Sequence, residues 1–167
     1  IRWERFKLMA KKGKDFKIPD NLFDKKFWDT FEQVAANEYR KVIFDKSNPR
    51  MSNGKPFPKY SKGYEKAKAT GDLRLQDRSY ANSKAPILSG NLMLDTKSSA
   101  DPRTFSVFIG WSSHAYKVDH LRDNGRILTS RSDPYPDSAM KKLMPEINRN
   151  LKRVMPKGSQ TITIKKK

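Results

Sequence analysis

Cysteine is absent from the 167 residues, histidine occurs twice, and no apolar run approaches the length that spans a bilayer. Without cysteine there is neither a disulfide framework nor a thiolate metal site, which fits assembly in a reducing cytoplasm. With only His114 and His120, acid–base or metal chemistry has to be built around those two side chains or around scattered carboxylates. The lack of a ~20-residue apolar segment, and of an apolar core near the N-terminus, leads to the expectation of a soluble chain with no membrane partner. Signatures of cofactor chemistry are missing as well. Ser89-Gly90 lacks the flanking glycine of a nucleophile elbow, and neither a phosphate loop nor a glycine-rich dinucleotide turn follows a strand. No cofactor is therefore expected.

What the chain has in abundance is positive charge. Lysine and arginine number 36 against 18 acidic residues, a net +18, while apolar residues make up only 35%. The excess is uneven: residues 1–17 carry +5, residues 47–86 carry +6 and residues 152–167 carry +6, so the remainder is nearly neutral. This distribution predicts one neutral core domain with basic extensions. The expected organisation is a basic N-terminal arm at 1–17, a single domain at 18–155 interrupted by a long loop at 47–86, and a basic tail at 156–167.

Periodicity places the core. Ile18-Pro19-Asp20-Asn21 reads as a helix start, with Asp20 or Asn21 as the cap. Phe23, Phe27, Phe31, Val34 and Val42 then recur at helical spacing, and Trp28, Ala35 and Tyr39 widen the stripe into one buried aromatic face. Residues 92–97 and 104–111 read as a hairpin turning at 98–103, with Phe105, Val107 and Ile109 on one face and Phe108 on the other. Ser112 or Ser113 can cap a two-turn helix whose Ala115, Val118 and Leu121 face the sheet, stopped by Asn124-Gly125. Ile127 and Leu128 offer a third strand. A last helix starts near Pro134 or Pro136 and runs to about Met155, kinked at Pro145. The expected fold is α+β: a small antiparallel sheet packed against a long N-terminal helix and a C-terminal helix, with a long basic loop and basic terminal arms.

The stretch from Pro86 to Pro134 also carries an ordered set of motifs. Leu88-Ser89-Gly90-Asn91-Leu92 is followed by Val107-Phe108-Ile109-Gly110, by Ala115-Tyr116 with His120 and Gly125, and by Asp133-Pro134-Tyr135 before the last helix. In this order the motifs resemble the tail-completion and virion-morphogenesis proteins of tailed bacteriophages, over roughly residues 55–155. Two departures stand out: the tyrosine and alanine are inverted, and Asp133-Pro134-Tyr135 replaces an arginine-proline-phenylalanine lead-in. The resemblance implies a structural, non-enzymatic component of the virion, in the phage neck between head and tail and assembled in the host cytoplasm. It implies a head–tail connector, tail-completion or tail-terminator role, as a homo-oligomeric ring around the DNA exit channel. Adjacent connector, portal-side or tail proteins would be its partners, with non-specific contact to genomic DNA in the channel.

Interaction residues are expected where aromatics interleave with basic charge in aperiodic segments: Trp3 and Phe6 in the N-terminal arm, Phe57, Lys59, Tyr60, Lys62, Tyr64 and Lys66 in the long loop, and Lys165, Lys166 and Lys167 in the tail. Thr161-Ile162-Thr163-Ile164 alternates like a strand able to join another subunit's sheet edge. Val118-Asp119-His120 resembles the opening of a histidine-asparagine-histidine nuclease motif. No histidine follows residue 120 to hold a metal, so the reading adopted is a helix residue bonded to a neighbouring loop. The competing functional reading is a basic nucleic-acid-binding protein of ribosomal or nucleoid type, since lysine and arginine tracts neutralise phosphates in any sequence.

Overall fold

The longest apolar stripe in the chain forms its longest helix. The computed structural model describes residues 2–7, 9–10, 23–73, 75, 77–87, 90–104, 106–133, 135–154 and 164–165. Helix α1 spans Lys25–Ile43 and is capped by Asp24, whose Oδ1 accepts from the Phe27 amide at 2.7 Å. The cap lies downstream of Asp20 and Asn21, the expected caps, which fall outside the described residues. Phe27, Trp28, Phe31, Ala35, Tyr39 and Ile43 are buried along one side of the helix, as their spacing predicts. Their rings stack in sequence, with Phe27 and Phe31 centroids 5.2 Å apart and Phe23 stacked on Phe27 at 4.3 Å.

The sheet has three strands, antiparallel throughout. At its centre is β4, Ser106–Trp111, with Val107, Ile109 and Trp111 buried. On one side runs β3, Lys97–Asp101, pairing Lys97 with Gly110 and Asp101 with Ser106. This shifts the first hairpin strand from the expected 92–97. The apolar Leu92 and Met93 belong instead to a single-turn helix α3, Asn91–Leu94, and a polar Lys-Ser-Ser-Ala-Asp segment serves as the edge. An edge strand needs little apolar surface because the neighbouring strand satisfies one side of its backbone. Its other side is partly closed by α1, where Glu32 Oε1 accepts from the Ala100 amide at 2.6 Å. The turn is set by Asp101, which accepts from the Arg103 amide and the Thr104 hydroxyl.

The other edge is β1, Arg2–Lys7, with Trp3 opposite Gly110 and Phe6 opposite Val107. The expected N-terminal arm is thus a sheet strand in this part. With β1 and β3 occupying both sides of β4, no edge remains beside β4 for Ile127-Leu128, and these residues form an irregular segment in which Leu128 is buried. A separate ladder joins β2, Met9–Ala10, to β5, Ile164–Lys165, so the two ends of the chain meet. The strand expected near Ile164 pairs here within its own chain.

Two helices follow the hairpin. Helix α4, Ala115–Asp123, ends at Asn124-Gly125 as expected, but no serine caps it. Asp95, at the end of α3, instead fastens the segment that leads into α4: its carboxylate accepts from the Ser112 and His114 amides at 3.0 and 2.8 Å and from the Ser112 hydroxyl at 2.7 Å. Burial pushes the Asp95 carboxyl up, and these hydrogen bonds outweigh it and leave the group below its ordinary value. Helix α5 spans Asp137–Val154, continues through Pro145 and packs on α1. Its lead-in residue Tyr135 is fully buried, donates to the Ala35 carbonyl at 2.8 Å and meets the Tyr39 ring. Tyr39 donates in turn to the Leu128 carbonyl at 2.6 Å, so the polar tips of both rings are satisfied inside the core. The chain is therefore a small α+β fold, with α1 packed against β3 and α5.

The largest difference from expectation lies in residues 47–86. They contain helix α2, Lys62–Thr70, capped by Ser61 and closed by Gly71 at φ 99°, a left-handed conformation that costs glycine little. A 3-10 turn follows at Arg78–Tyr80. Met51, Phe57, Tyr80 and Ala85 join the main core, so the segment is a folded excursion and not an open loop.

Candidate functional site

Two buried cations fasten this excursion. Arg126 follows the α4 stop and is only 4% exposed. Its Nη1 donates to the Lys84 carbonyl at 3.2 Å and its Nη2 to the Pro58 carbonyl at 2.5 Å, so one guanidinium ties Pro58 to Lys84 across the segment. The guanidinium also lies 3.5 Å from the centre of the Tyr60 ring. Lys68 of α2 is 1% exposed, donates to the Ser83 carbonyl at 2.7 Å and approaches the same ring at 5.2 Å. Among the described residues, neither cation has a carboxylate within ion-pair distance. Carbonyl dipoles and a ring quadrupole solvate them instead.

The cost is visible in the titration behaviour. Burial, reinforced by the Arg126 charge, brings the Lys68 amine down from 10.5 to about 8. Burial pushes the Tyr60 hydroxyl up to about 12, an effect that Arg126 partly opposes. Tyr60 donates to the Ala85 carbonyl at 3.1 Å, and its ring packs at 4.6 Å against Tyr64 of α2.

Beside this cluster opens a groove of about 540 Å³. It is lined by Lys59, Tyr60 and Tyr64 from the excursion and by Lys117, His120 and Leu121 of α4. Ile87, Leu92 and Met93 add apolar surface to the lining, and Arg126 also borders it. Gly90, also at the groove, sits at φ 75° at the start of α3. A side chain there would strain the backbone, which gives the glycine of the Leu88–Leu92 motif a physical reason. Among the described residues, no aspartate or glutamate lines the groove. Fixed positive charge beside apolar surface suits a ligand that brings carboxylates or phosphates together with apolar groups.

Of the expected interaction residues, the structure gathers Lys59, Tyr60 and Tyr64 in this groove. Lys62 and Lys66 are exposed on α2 but do not line it. Phe57 is 2% exposed beneath Arg126, so it is a core residue and offers no interaction surface. Trp3 and Phe6 occupy β1, and Lys165 occupies β5, but their side chains lie outside the described residues, as do Lys166 and Lys167 altogether. Arg126, Lys68 and Lys117 were not anticipated. The signals for Lys68 were present in Ser61 and Gly71, which bracket a helix on which Tyr64 and Lys68 share a face.

The histidines stand apart. His114 Nδ1 lies 3.5 Å from Asp95, in the tie that starts α4. His120 is an exposed groove residue, and the bond expected from its side chain to a neighbouring loop is absent among the described residues. Also among the described residues, no group of three or more histidine or acidic side chains is placed to hold a metal ion, and no helix is long and apolar enough to cross a membrane. Comparison with known proteins finds no matching family model, no matching curated protein and no matching solved structure.

Proposed function

We propose that this chain is a structural component of a bacteriophage neck, of the connector, tail-completion or tail-terminator type, acting as a ring around the DNA exit channel. The observation that carries the reading is the order of elements behind the resemblance. Gly90 opens α3, Val107–Gly110 lies in the central strand, Ala115-Tyr116 and His120 fall on α4, Gly125 follows its end, and Tyr135 leads into α5. Motifs scattered through a sequence by chance have no reason to map one by one onto starts, stops and the centre of a single packed unit. The charge balance is compatible with the same role. A ring of subunits at +18 each repels itself, so the assembly requires negative neighbours, which DNA in the channel or acidic faces of adjacent virion proteins supply.

In this role the chain works by shape and charge and catalyses nothing. The test is the symmetry of the purified protein in native mass spectrometry and in class averages of particles, alone and with DNA or lysate from phage assembly. Closed rings, and head–tail joining that fails when the chain is omitted and returns when it is added back, are expected. A monomer under every condition, with joining unaffected by omission, would sink the proposal.

A further inference from the structure

From the groove between α2 and α4 we infer that the protein docks an acidic, amphipathic peptide segment belonging to a different protein. The inference stands on the groove's chemistry and does not need the neck assignment. Lys59, Lys117 and Arg126 place cations in its lining, Ile87, Leu92 and Met93 give it an apolar part, and among the described residues no carboxylate lines it. The matching occupant carries aspartates or glutamates on one side and aliphatic side chains on the other.

Arg126 is held in place by two carbonyls, and the Tyr60 tip by a third, so part of the positive lining is ordered before anything binds. Preorganisation lowers the entropic cost of docking. Leu94 and Tyr116 are 61% and 67% exposed and are the chain neighbours of the groove residues Met93 and Lys117.

Two observations select the class of partner. The Tyr60 ring already has Arg126 at 3.5 Å and Tyr64 at 4.6 Å, so little of its face remains for stacking a nucleobase. An aliphatic lining contributes nothing to gripping a phosphate backbone, but it rewards buried leucine or isoleucine. A second copy of the chain is a poor occupant, because each copy carries +18.

The probe is a short fluorescein-labelled peptide of glutamates and leucines, measured by anisotropy on the full chain. It is compared with the same peptide carrying serine for each leucine, and with oligothymidylate of equal charge. The glutamate–leucine peptide is expected to bind about tenfold more tightly than the serine version, because only it covers the apolar part of the lining. Lys59→Glu combined with Lys117→Glu is expected to weaken it by about tenfold and to flatten its salt dependence. The comparison between peptides uses the unaltered protein, so it decides the matter even if the double variant folds poorly. Equal binding of both peptides, absence of binding, or tighter binding of oligothymidylate that the charge reversal removes would each overturn the inference.

Discussion

The two halves of the molecule are held together by opposite means. Where α1, β4 and α5 contribute, the interior is made of Phe27, Phe31, Val107, Ile109, Leu143 and Ile147, and the hydroxyls of Tyr39 and Tyr135 reach main-chain carbonyls. Where residues 57–86 fold back on the domain, Arg126 and Lys68 sit in the interior and point at carbonyls. The first half loses stability in proportion to apolar area removed, whereas the second depends on a few donors whose loss leaves buried acceptors unpaired. The lesson is one of location: the buried cations Lys68 and Arg126 lie beside the groove, whereas the buried carboxylate of Glu38 on α1 is paired with Lys41 and with Lys142 of α5.

Breaking the apolar half has the largest expected effect. Phe31 is fully buried, stacked on Phe27 and edge-on to Trp28. Phe31→Ala should cost ~3–5 kcal/mol, a large part of the ~5–15 kcal/mol that keeps a domain folded. Both halves are then expected to melt together at a lower midpoint in denaturant. An unchanged midpoint would mean that the aromatic stack is not what sustains the domain.

An intermediate effect, local in character, is expected from Arg126→Met. Methionine keeps an unbranched apolar stem but leaves the Pro58 and Lys84 carbonyls without their donor, at ~2–4 kcal/mol. Protease cleavage within residues 58–84 should become faster while the near-ultraviolet signal of the aromatic core persists. If cleavage appears only as the whole domain unfolds, the two halves are one cooperative unit and the contrast between them is one of chemistry alone.

Legibility followed the same division. The face of α1, the alternation of β4 and the stripe of α5 could be read because burial imposes a period on apolar residues. β1 escaped because Trp3 and Phe6 are three apart, which breaks the period of two. β3 escaped because a Lys-Ser-Ser-Ala-Asp edge carries no apolar signal at all. α2 was hidden by Gly63 and by the prolines and glycines around it, although Ser61 and Gly71 mark its ends. In the groove, Lys59, Tyr60 and Tyr64 were legible as basic and aromatic neighbours. The role of Arg126 was not, because its partners are the carbonyls of Pro58 and Lys84, and every residue has a carbonyl.

The smallest effect, and the sharpest on the role of buried charge, belongs to Lys68. Its amine titrates near 8 in the folded chain against 10.5 in a solvated one, because burial and the nearby Arg126 disfavour its proton. Below pH 8 both states are protonated and the folded state bears the full penalty. Between pH 8 and 10.5 the unfolded chain binds more protons than the folded one, so stability rises with pH across that window. Tyr60, pushed up to about 12, works the other way above pH 10, which leaves 8 to 10 as the clean interval. Lys68→Met removes the titrating group while keeping an unbranched stem over the Tyr60 ring. From pH 8 to 10 the unaltered protein should therefore gain about 2 kcal/mol, or ~4–8 °C in thermal midpoint, relative to the variant. The loss of positive charge elsewhere with rising pH is common to both proteins and cancels in the difference. Parallel pH profiles would show that the Lys68 amine is solvated well enough to keep its ordinary affinity for a proton.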